Sequence, residues 1–486
     1  MSFSSTSLAL LTDLYQLTMA QGYFQLQMAE KKSSFYLSFR KKPFQGSYAI
    51  AAGISPFLDF IENFRYDPSD LKYLEGLKAK DGSHLFSSSF LDYLANLKLT
   101  CDMDAVEEGS VIFPYQPLVR INGPLLQAQL LETPLLNYFN FQTLIATKAS
   151  RICLAAAPTE VVEFGVRRAQ GIDGGISASR AAFIGGCVSS SNVLAGKLMG
   201  IPVAGTQAHS WIMAHETEEE AFENYAKTAP SNCSFLIDTF DTIEGVKNAI
   251  RVAKRIFRSG AGLIAVRIDS GDLLSLSKQV RELLDQASLF NVKIMATNDL
   301  DEFAIKNLME QGAKIDIWGV GTNLVTGKDQ PAFDGVYKLS ALEKQRSGFQ
   351  GVMKISNNVS KTTDPGQLQL RRYEKSGKNL FDVVFDDERK THPFTKVIDR
   401  FDPSNIKEIP KDATYRDLLI PFVREGKVVS KKKTLEQIRH HREIELKGFD
   451  QKMFELQNPS TYFVGLEESL YNYKNQLIKK IKINSN

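Results

Sequence analysis

The sequence predicts an α/β fold in which a parallel α/β barrel follows an α+β domain. Three observations predict it. Short apolar segments alternate with helical stretches after Pro134, the sequence form of a parallel βα architecture. Before Pro134, helical stretches mix with a period-two strand and short strands closed by Pro or Gly. Unusual polar and glycine residues then cluster just after the later apolar segments, where a parallel barrel places its active site.

Residues 12–27 open with Thr12-Asp13, both good N-cap types, and read as a helix carrying Leu14, Tyr15, Leu17 and Met19. In residues 34–40, Phe35, Leu37 and Phe39 recur at period two, the mark of a half-buried strand. Residues 54–97 read as mainly helical, and the runs 111–113, 118–121 and 125–130 return to strand. A long helical stretch begins at Pro134. The barrel strands are then residues 161–164, 201–204, 234–237, 263–266, 292–295 and 315–318, most of them continuously apolar, as strands covered on both faces are. Six such units favour a barrel over an open sheet. Beyond about Lys354 the alternation stops, and a mixed segment leads to helices near 434–446 and 466–481. The expected divisions are 1–133, 134–354 and 355–486.

At 486 residues the chain exceeds what one hydrophobic core usually spans. Its 43% hydrophobic and 24% charged content is that of an ordinary globular protein, which argues against a disordered or fibrous chain. Lys and Arg outnumber Asp and Glu only by 59 to 56, so net charge argues for neither a nucleic-acid nor a membrane partner. Any anion site must be local. The four cysteines, Cys101, Cys153, Cys187 and Cys233, form no C-x-x-C pair, so neither a zinc site nor a disulfide framework is expected. The start of the chain lacks the pattern of a signal peptide, and no apolar run approaches a membrane span. These observations give the expectation of a cytoplasmic enzyme. The run Lys431-Lys432-Lys433 reads as a solvated face.

Every barrel strand ends in chemistry. Gly165-Val166-Arg167-Arg168 follow the first, Gly205-Thr206-Gln207-Ala208-His209-Ser210 the second, and Asp238-Thr239-Phe240-Asp241 the third. Arg267-Ile268-Asp269-Ser270-Gly271-Asp272, then Asn298-Asp299, then Gly319-Val320-Gly321-Thr322 follow the others. Phosphate is bound by Arg forks and backbone N–H groups. Magnesium takes one or two carboxylates together with substrate oxygens, a role open to Asp238 and Asp269. Each element also has a plain structural reading: the glycines as tight turns, Arg267 and Asp269 as a pair, His209 as a structural histidine. Their coincidence at all the strand ends favours a site for a phosphorylated, magnesium-bound substrate. Two other motifs fail on geometry. Gly327-Lys328 is followed by Asp329 where a Walker loop needs Ser or Thr, and Asp382-Val383-Val384-Phe385-Asp386-Asp387 lacks the phosphate loop that should follow. Both read as exposed turns, the second continuing through Glu388-Arg389-Lys390.

At these residues the chain resembles the nicotinate phosphoribosyltransferases over nearly its whole length. Four stretches carry the likeness: residues 11–19 (LTDLYQLTM), residues 164–171 (FGVRRAQG) with 191–196 (SNVLAG), residues 205–210, and residues 267–272 with 319–322. The resemblance implies an irregular α/β barrel and an α+β domain built from both N-terminal and C-terminal chain. It also implies a head-to-tail homodimer with active sites at the interface. Residue by residue it places Tyr15, arriving from the partner subunit, and Phe164 on the two faces of the pyridine ring, where stacking suits a flat substrate. Arg167 lies beside the substrate carboxylate or its phosphate, and Arg267 with Gly319, Gly321 and Thr322 holds ribosyl phosphate oxygens. Asp238 and Asp269 serve magnesium and the ribose, and Ser210 and Asn298 complete the expected substrate-binding set. His209 matches the histidine that ATP phosphorylates in this family.

The implied reaction joins nicotinate to phosphoribosyl pyrophosphate, with magnesium as cofactor and ATP as co-substrate, in the first step of NAD salvage from nicotinate. Two alternatives stay open. A sister enzyme uses nicotinamide and carries an aspartate where this chain has Asn192, a position that brings no negative charge to repel nicotinate. Asn192 also suits a cap on the helix beginning at Val193. An inactive relative that only binds nucleotide or a protein partner is disfavoured, because His209, Asp238, Arg267 and Asp269 are all present.

Overall fold

The computed structural model describes residues 7–256, 262–344, 348–389 and 393–484. Contacts divide the chain into two compact units, Met1–Thr143 with Ala332–Asn486, and Leu144–Pro331. The division falls within the helix Glu132–Ala156 and at Ala332, whereas the sequence placed its limits at 133 and 354.

The Leu144–Pro331 unit holds a six-stranded parallel sheet in the order Ser189–Ser190, Glu160–Glu163, Ile317–Val320, Lys293–Ala296, Leu263–Ile268, Cys233–Leu236. Its strands bury Val161, Phe235, Val266, Ile294 and Trp318, and the helices Thr242–Ile256 and Leu273–Gln286 cover them with Val246, Val252, Val280 and Leu284. Side-chain caps start several of these helices: Asp272 accepts from Leu274 and Ser275, and Asp301 from Phe303 and Ala304. The helix Glu302–Glu310 is fixed by a buried ionic cluster, with Lys148 Nζ 2.6 Å and Arg151 Nε 2.9 Å from the Glu302 carboxylate.

Five of the six expected barrel strands are present, one with a shifted end that matters. The last begins at Ile317 rather than Ile315, so Gly319 lies inside the strand and not in the turn after it. The expected strand at 201–204 is reduced to an isolated bridge between Ser190 and Val203. Pro202 has no N–H to give a ladder there. The sheet edges at Ser189–Ser190 and Cys233–Leu236 are not hydrogen-bonded to each other, so it is a half-barrel rather than a closed ring.

The other unit joins the two ends of the chain in one seven-stranded antiparallel sheet. There Lys32–Phe39 pairs with Gly335–Lys344 on one side and Val119–Pro124 on the other, and Ile420–Arg424 adds to Asp102–Ala105. A six-stranded sheet from residues 368 to 467 lies in the same unit. Three expectations are corrected here. The strand Lys32–Phe39 is buried on both faces from Ser33 onward, not half-buried, because Ser33, Ser34 and Ser38 are enclosed along with the apolar residues. Residues 125–130 form the helix Leu125–Leu130 instead of a strand; the run is all Leu, Gln and Ala, strong helix formers, and it is buried throughout. Asp382 and Asp386 belong to the buried strand Lys378–Asp386, and the exposed turn begins only after it. Arg372 makes that burial possible by forking onto Asp382 at 2.8 and 2.7 Å. Lys390 lies outside the described residues.

The Gly327-Lys328 motif does form a turn, with Lys328 exposed. Lys431, Lys432 and Lys433 are exposed as well, and Lys432 pairs with Asp59 at 3.1 Å. Among the described residues no helix is long and apolar enough to cross a membrane.

Candidate active site

The strand ends of the Leu144–Pro331 unit gather four of the residues that the sequence singled out. Arg267 and Asp269 sit at the end of Leu263–Ile268, two residues apart and therefore on one side of the chain. Arg267 is deeply placed, with 13% of its side chain exposed, and Nη2 lies 3.4 Å from Asp269 Oδ2. His209 Nε2 approaches the same oxygen at 3.5 Å. Asp238 Oδ2 accepts from the Asp269 N–H at 2.8 Å and from Ser270 Oγ at 2.6 Å, which fixes the backbone under both acids.

Three threonines hold these groups, and none was a candidate from sequence. Thr239 Oγ1 lies 3.1 Å from His209 Nδ1. Thr206 Oγ1 accepts from Arg267 Nη1 at 2.6 Å, beside the Gln207 carbonyl at 3.1 Å. Thr297 Oγ1 accepts from Arg267 Nε at 3.2 Å and donates to Asp269 Oδ1. Thr206 and Thr239 stood in the strand-end stretches, but a hydroxyl there has no signature that separates it from an ordinary turn residue.

Buried polar atoms show where a ligand fits. Asp238 Oδ1 is buried and has no hydrogen-bond partner among the described residues. A buried carboxylate oxygen needs a donor or a cation, so this one suits a hard ion or a substrate group. Glu218, also buried, is electrostatically coupled to Asp238: burial raises its carboxyl above the usual range, and Asp238 and Asp241 add to the rise. Among the described residues no three or more His, Cys, Asp or Glu side chains gather as a closed metal cage.

Phe164 follows Glu160–Glu163, its N–H donating to the Val320 carbonyl at 2.8 Å. Beside it Gly319 matters by its lack of a side chain: a Cβ there would stand 2.5 Å from Thr297 Cγ2 and 2.9 Å from the Phe164 ring. Gly319 makes room for the ring from inside the strand, while Gly321 and exposed Thr322 lead into the short helix Thr322–Val325. Arg167 is exposed in the turn Val166–Arg168, its guanidinium unpaired among the described residues. Asn298 is exposed at φ 102°, next to Asp299 at φ 35°, and Asn323 Nδ2 holds that unusual turn through the carbonyls of Asp299 and Leu300. Ser210 is exposed in the helix His209–Met213.

Asn192 is 6% exposed and its amide is committed to the fold. Its oxygen accepts from the Ala195 N–H at 3.2 Å, and Nδ2 donates to the Gly175 carbonyl at 3.3 Å and Ser179 Oγ at 3.1 Å. Those bonds match the capping alternative. Beneath it, the fully buried Glu163 accepts from Ser179 Oγ at 2.9 Å, from Ser190 Oγ at 2.5 Å and from the Gly165 N–H. An acid within the apolar run 161–164 was the signal that marks Glu163.

Tyr15 belongs to the other unit. It stands half-exposed on the helix Leu14–Gln25, with Gln16 Nε2 donating to its hydroxyl at 2.9 Å. Leu11, Leu14 and Met19 are exposed on the same segment.

Three family models cover most of the chain: the nicotinate phosphoribosyltransferase N-terminal domain over residues 10–140, the nicotinate phosphoribosyltransferase family over 159–389, and its C-terminal domain over 367–474. The chain belongs to the nicotinate phosphoribosyltransferase family. A nicotinate phosphoribosyltransferase of Bacillus subtilis (strain 168) is 39% identical over 489 residues, spanning 99% of this chain and 97% of that protein. Its Homo sapiens counterpart is 33% identical, with 96% of each chain covered. The crystal structure of human nicotinic acid phosphoribosyltransferase superposes with a TM-score of 0.83 at 30% identity, covering 96% of this chain and 99% of that one. The stretches that carried the sequence likeness all lie inside the matched family regions.

Proposed function

We propose that the chain joins nicotinate to the ribose of phosphoribosyl pyrophosphate, releasing pyrophosphate and forming nicotinate mononucleotide for NAD synthesis. One observation supports this most: Arg267, Asp269, Asp238 and His209 lie at the half-barrel's strand ends, linked directly or through threonine hydroxyls. The pyridine nitrogen attacks C1 of the ribose as the bond to pyrophosphate breaks, and positive charge builds on the sugar. Asp269 and Asp238 stabilise that charge, while the Arg267 fork binds phosphate oxygens. Magnesium, held by Asp238 and Asp269, would neutralise charge on the departing pyrophosphate. Phe164 stacks on the ring, and Arg167 pairs with the nicotinate carboxylate or the 5′-phosphate.

His209 is the phosphoryl acceptor. A ring nitrogen attacks the γ-phosphorus of ATP, ADP leaves, and later hydrolysis of the phosphohistidine returns the free imidazole and phosphate. This couples ATP hydrolysis to nucleotide synthesis. The second ring-stacking residue is Tyr15 of another copy of the chain, in a homodimer; the exposed Leu11, Leu14, Tyr15 and Met19 suit such a contact. The test is pyrophosphate release from phosphoribosyl pyrophosphate with nicotinate against nicotinamide, with and without ATP. Nicotinate-dependent release stimulated by ATP is expected. Equal or greater release with nicotinamide overturns the substrate choice, and release indifferent to ATP overturns the coupling.

A further inference from the structure

We propose that Thr297 is a positioning residue for the reaction, its hydroxyl keeping Arg267 and Asp269 from closing into a forked pair and both turned toward the phosphate-bearing substrate. The proposal rests on the roles given to Arg267 and Asp269 above. Thr297 directly follows the strand Lys293–Ala296 and is 5% exposed. Its N–H donates to the Ile268 carbonyl at 2.9 Å, so its backbone is locked between the two residues it serves.

The side chain has two arms with separate tasks. The hydroxyl accepts from Arg267 Nε at 3.2 Å and donates to Asp269 Oδ1. The bonds run in one sense from guanidinium to carboxylate, so each polarises the next. The methyl faces Gly319 beside Phe164, since a Cβ on Gly319 would meet Thr297 Cγ2 at 2.5 Å and the Phe164 ring at 2.9 Å.

Removing only the hydroxyl breaks the spacing. Arg267 Nε loses an acceptor, Asp269 Oδ1 loses its donor, and the two charges already stand 3.4 Å apart at Nη2 and Oδ2. A guanidinium and a carboxylate so placed close into a forked pair. That pair neutralises the charge on which phosphate and magnesium both draw. The methyl arm should leave the pyridine ring's place unchanged.

Thr297→Val keeps the shape and methyl while removing the hydroxyl, and Thr297→Ser keeps the hydroxyl. Calorimetric binding of phosphoribosyl pyrophosphate with magnesium is measured for all three proteins, together with KM for each substrate. Thr297→Val should weaken phosphoribosyl pyrophosphate binding about tenfold or more, the scale of a lost hydrogen bond to a charged group, and leave KM for nicotinate within about twofold. Thr297→Ser should stay within about threefold of wild type in binding. Wild-type binding by Thr297→Val overturns the proposal, as does a Ser variant as weak as the Val variant, which would place the role in packing. Equal rises of both KM values with a lowered melting temperature also overturn it. If the wild type makes no nicotinate mononucleotide but the Val and Ser variants still differ in binding, the functional reading fails and the role of Thr297 stands.

Discussion

His209 Nδ1 lies 3.1 Å from Thr239 Oγ1, which leaves the opposite ring nitrogen facing Asp269 Oδ2 at 3.5 Å. The imidazole is therefore oriented by a neutral hydroxyl on one side and faced by a carboxylate on the other, which would suit the phosphoryl-acceptor role proposed for it. His209→Ala should abolish ATP hydrolysis and the stimulation of synthesis by ATP while leaving a slow ATP-independent reaction. Acid-labile phosphate still forming on the Ala variant would refute the assignment. Thr239→Val, which frees the ring, should slow phosphorylation by about tenfold, the scale of a positioning effect on a nucleophile.

Tyr15→Ala should raise KM for nicotinate more than KM for phosphoribosyl pyrophosphate, because the ring offers a stacking face and touches no phosphate. Tyr15→Phe should behave as wild type, since Gln16 retains other partners in Glu132 and Gln129 when the tyrosine hydroxyl is lost. The measurement is steady-state kinetics at varied concentrations of each substrate. Normal kinetics with a lowered melting temperature would reduce Tyr15 to a packing residue.

Most of the half-barrel was legible because continuous apolar strands and polar strand ends are both signals of residue type. Arg267, Asp269, Asp238 and His209 were visible for that reason, whereas Phe164 was singled out only by the family resemblance. What escaped notice depended on context. Leu125–Leu130 is a short run whose period fits strand or helix alike, and its Leu, Gln and Ala composition, which favours helix, was outweighed by the strands before it. The strand at 201–204 failed at Pro202, a breaker visible in the sequence but outweighed by its apolar neighbours. Thr206, Thr239 and Thr297 act through distances of about a hydrogen bond across separate strands, which no single segment encodes.

Asn192 shows how the structure redirects a charge argument. On sequence alone, Asn192→Asp should repel nicotinate through a like charge. In the fold, the new carboxylate would instead set an oxygen against the Gly175 carbonyl that Nδ2 now serves at 3.3 Å. Losing that donor should cost about 1–3 kcal/mol of stability, while the cap to Ala195 survives because Asp caps as well as Asn. The expected outcome is a lower melting temperature with an unchanged ratio of kcat/KM for nicotinate and nicotinamide. A ratio that moves toward nicotinamide at constant stability would restore the charge argument.

The last prediction concerns pH. Asp386 is 3% exposed, and burial pushes its carboxyl up from 3.8 to about 6 despite hydrogen bonds from the N–H groups of Gln367 and Glu388. Oδ1 accepts both of those bonds, at 3.1 and 3.2 Å, and Arg389 stays 3.5 Å from Oδ2. A carboxyl raised in the folded state binds its proton more tightly there than in the unfolded chain. Stability from this group is therefore full below the unfolded value and falls as pH rises toward about 6. The shift of 6 − 3.8 corresponds to roughly 3 kcal/mol at most. Asp386→Asn keeps an amide oxygen for the two backbone donors and removes the titration. Its melting temperature relative to wild type should accordingly climb between about pH 4 and pH 6.5 and level off above, because only the wild type takes on a buried charge. Melting curves that stay parallel across that range would show that the buried carboxyl is ionised at no cost, with Arg389 compensating in full.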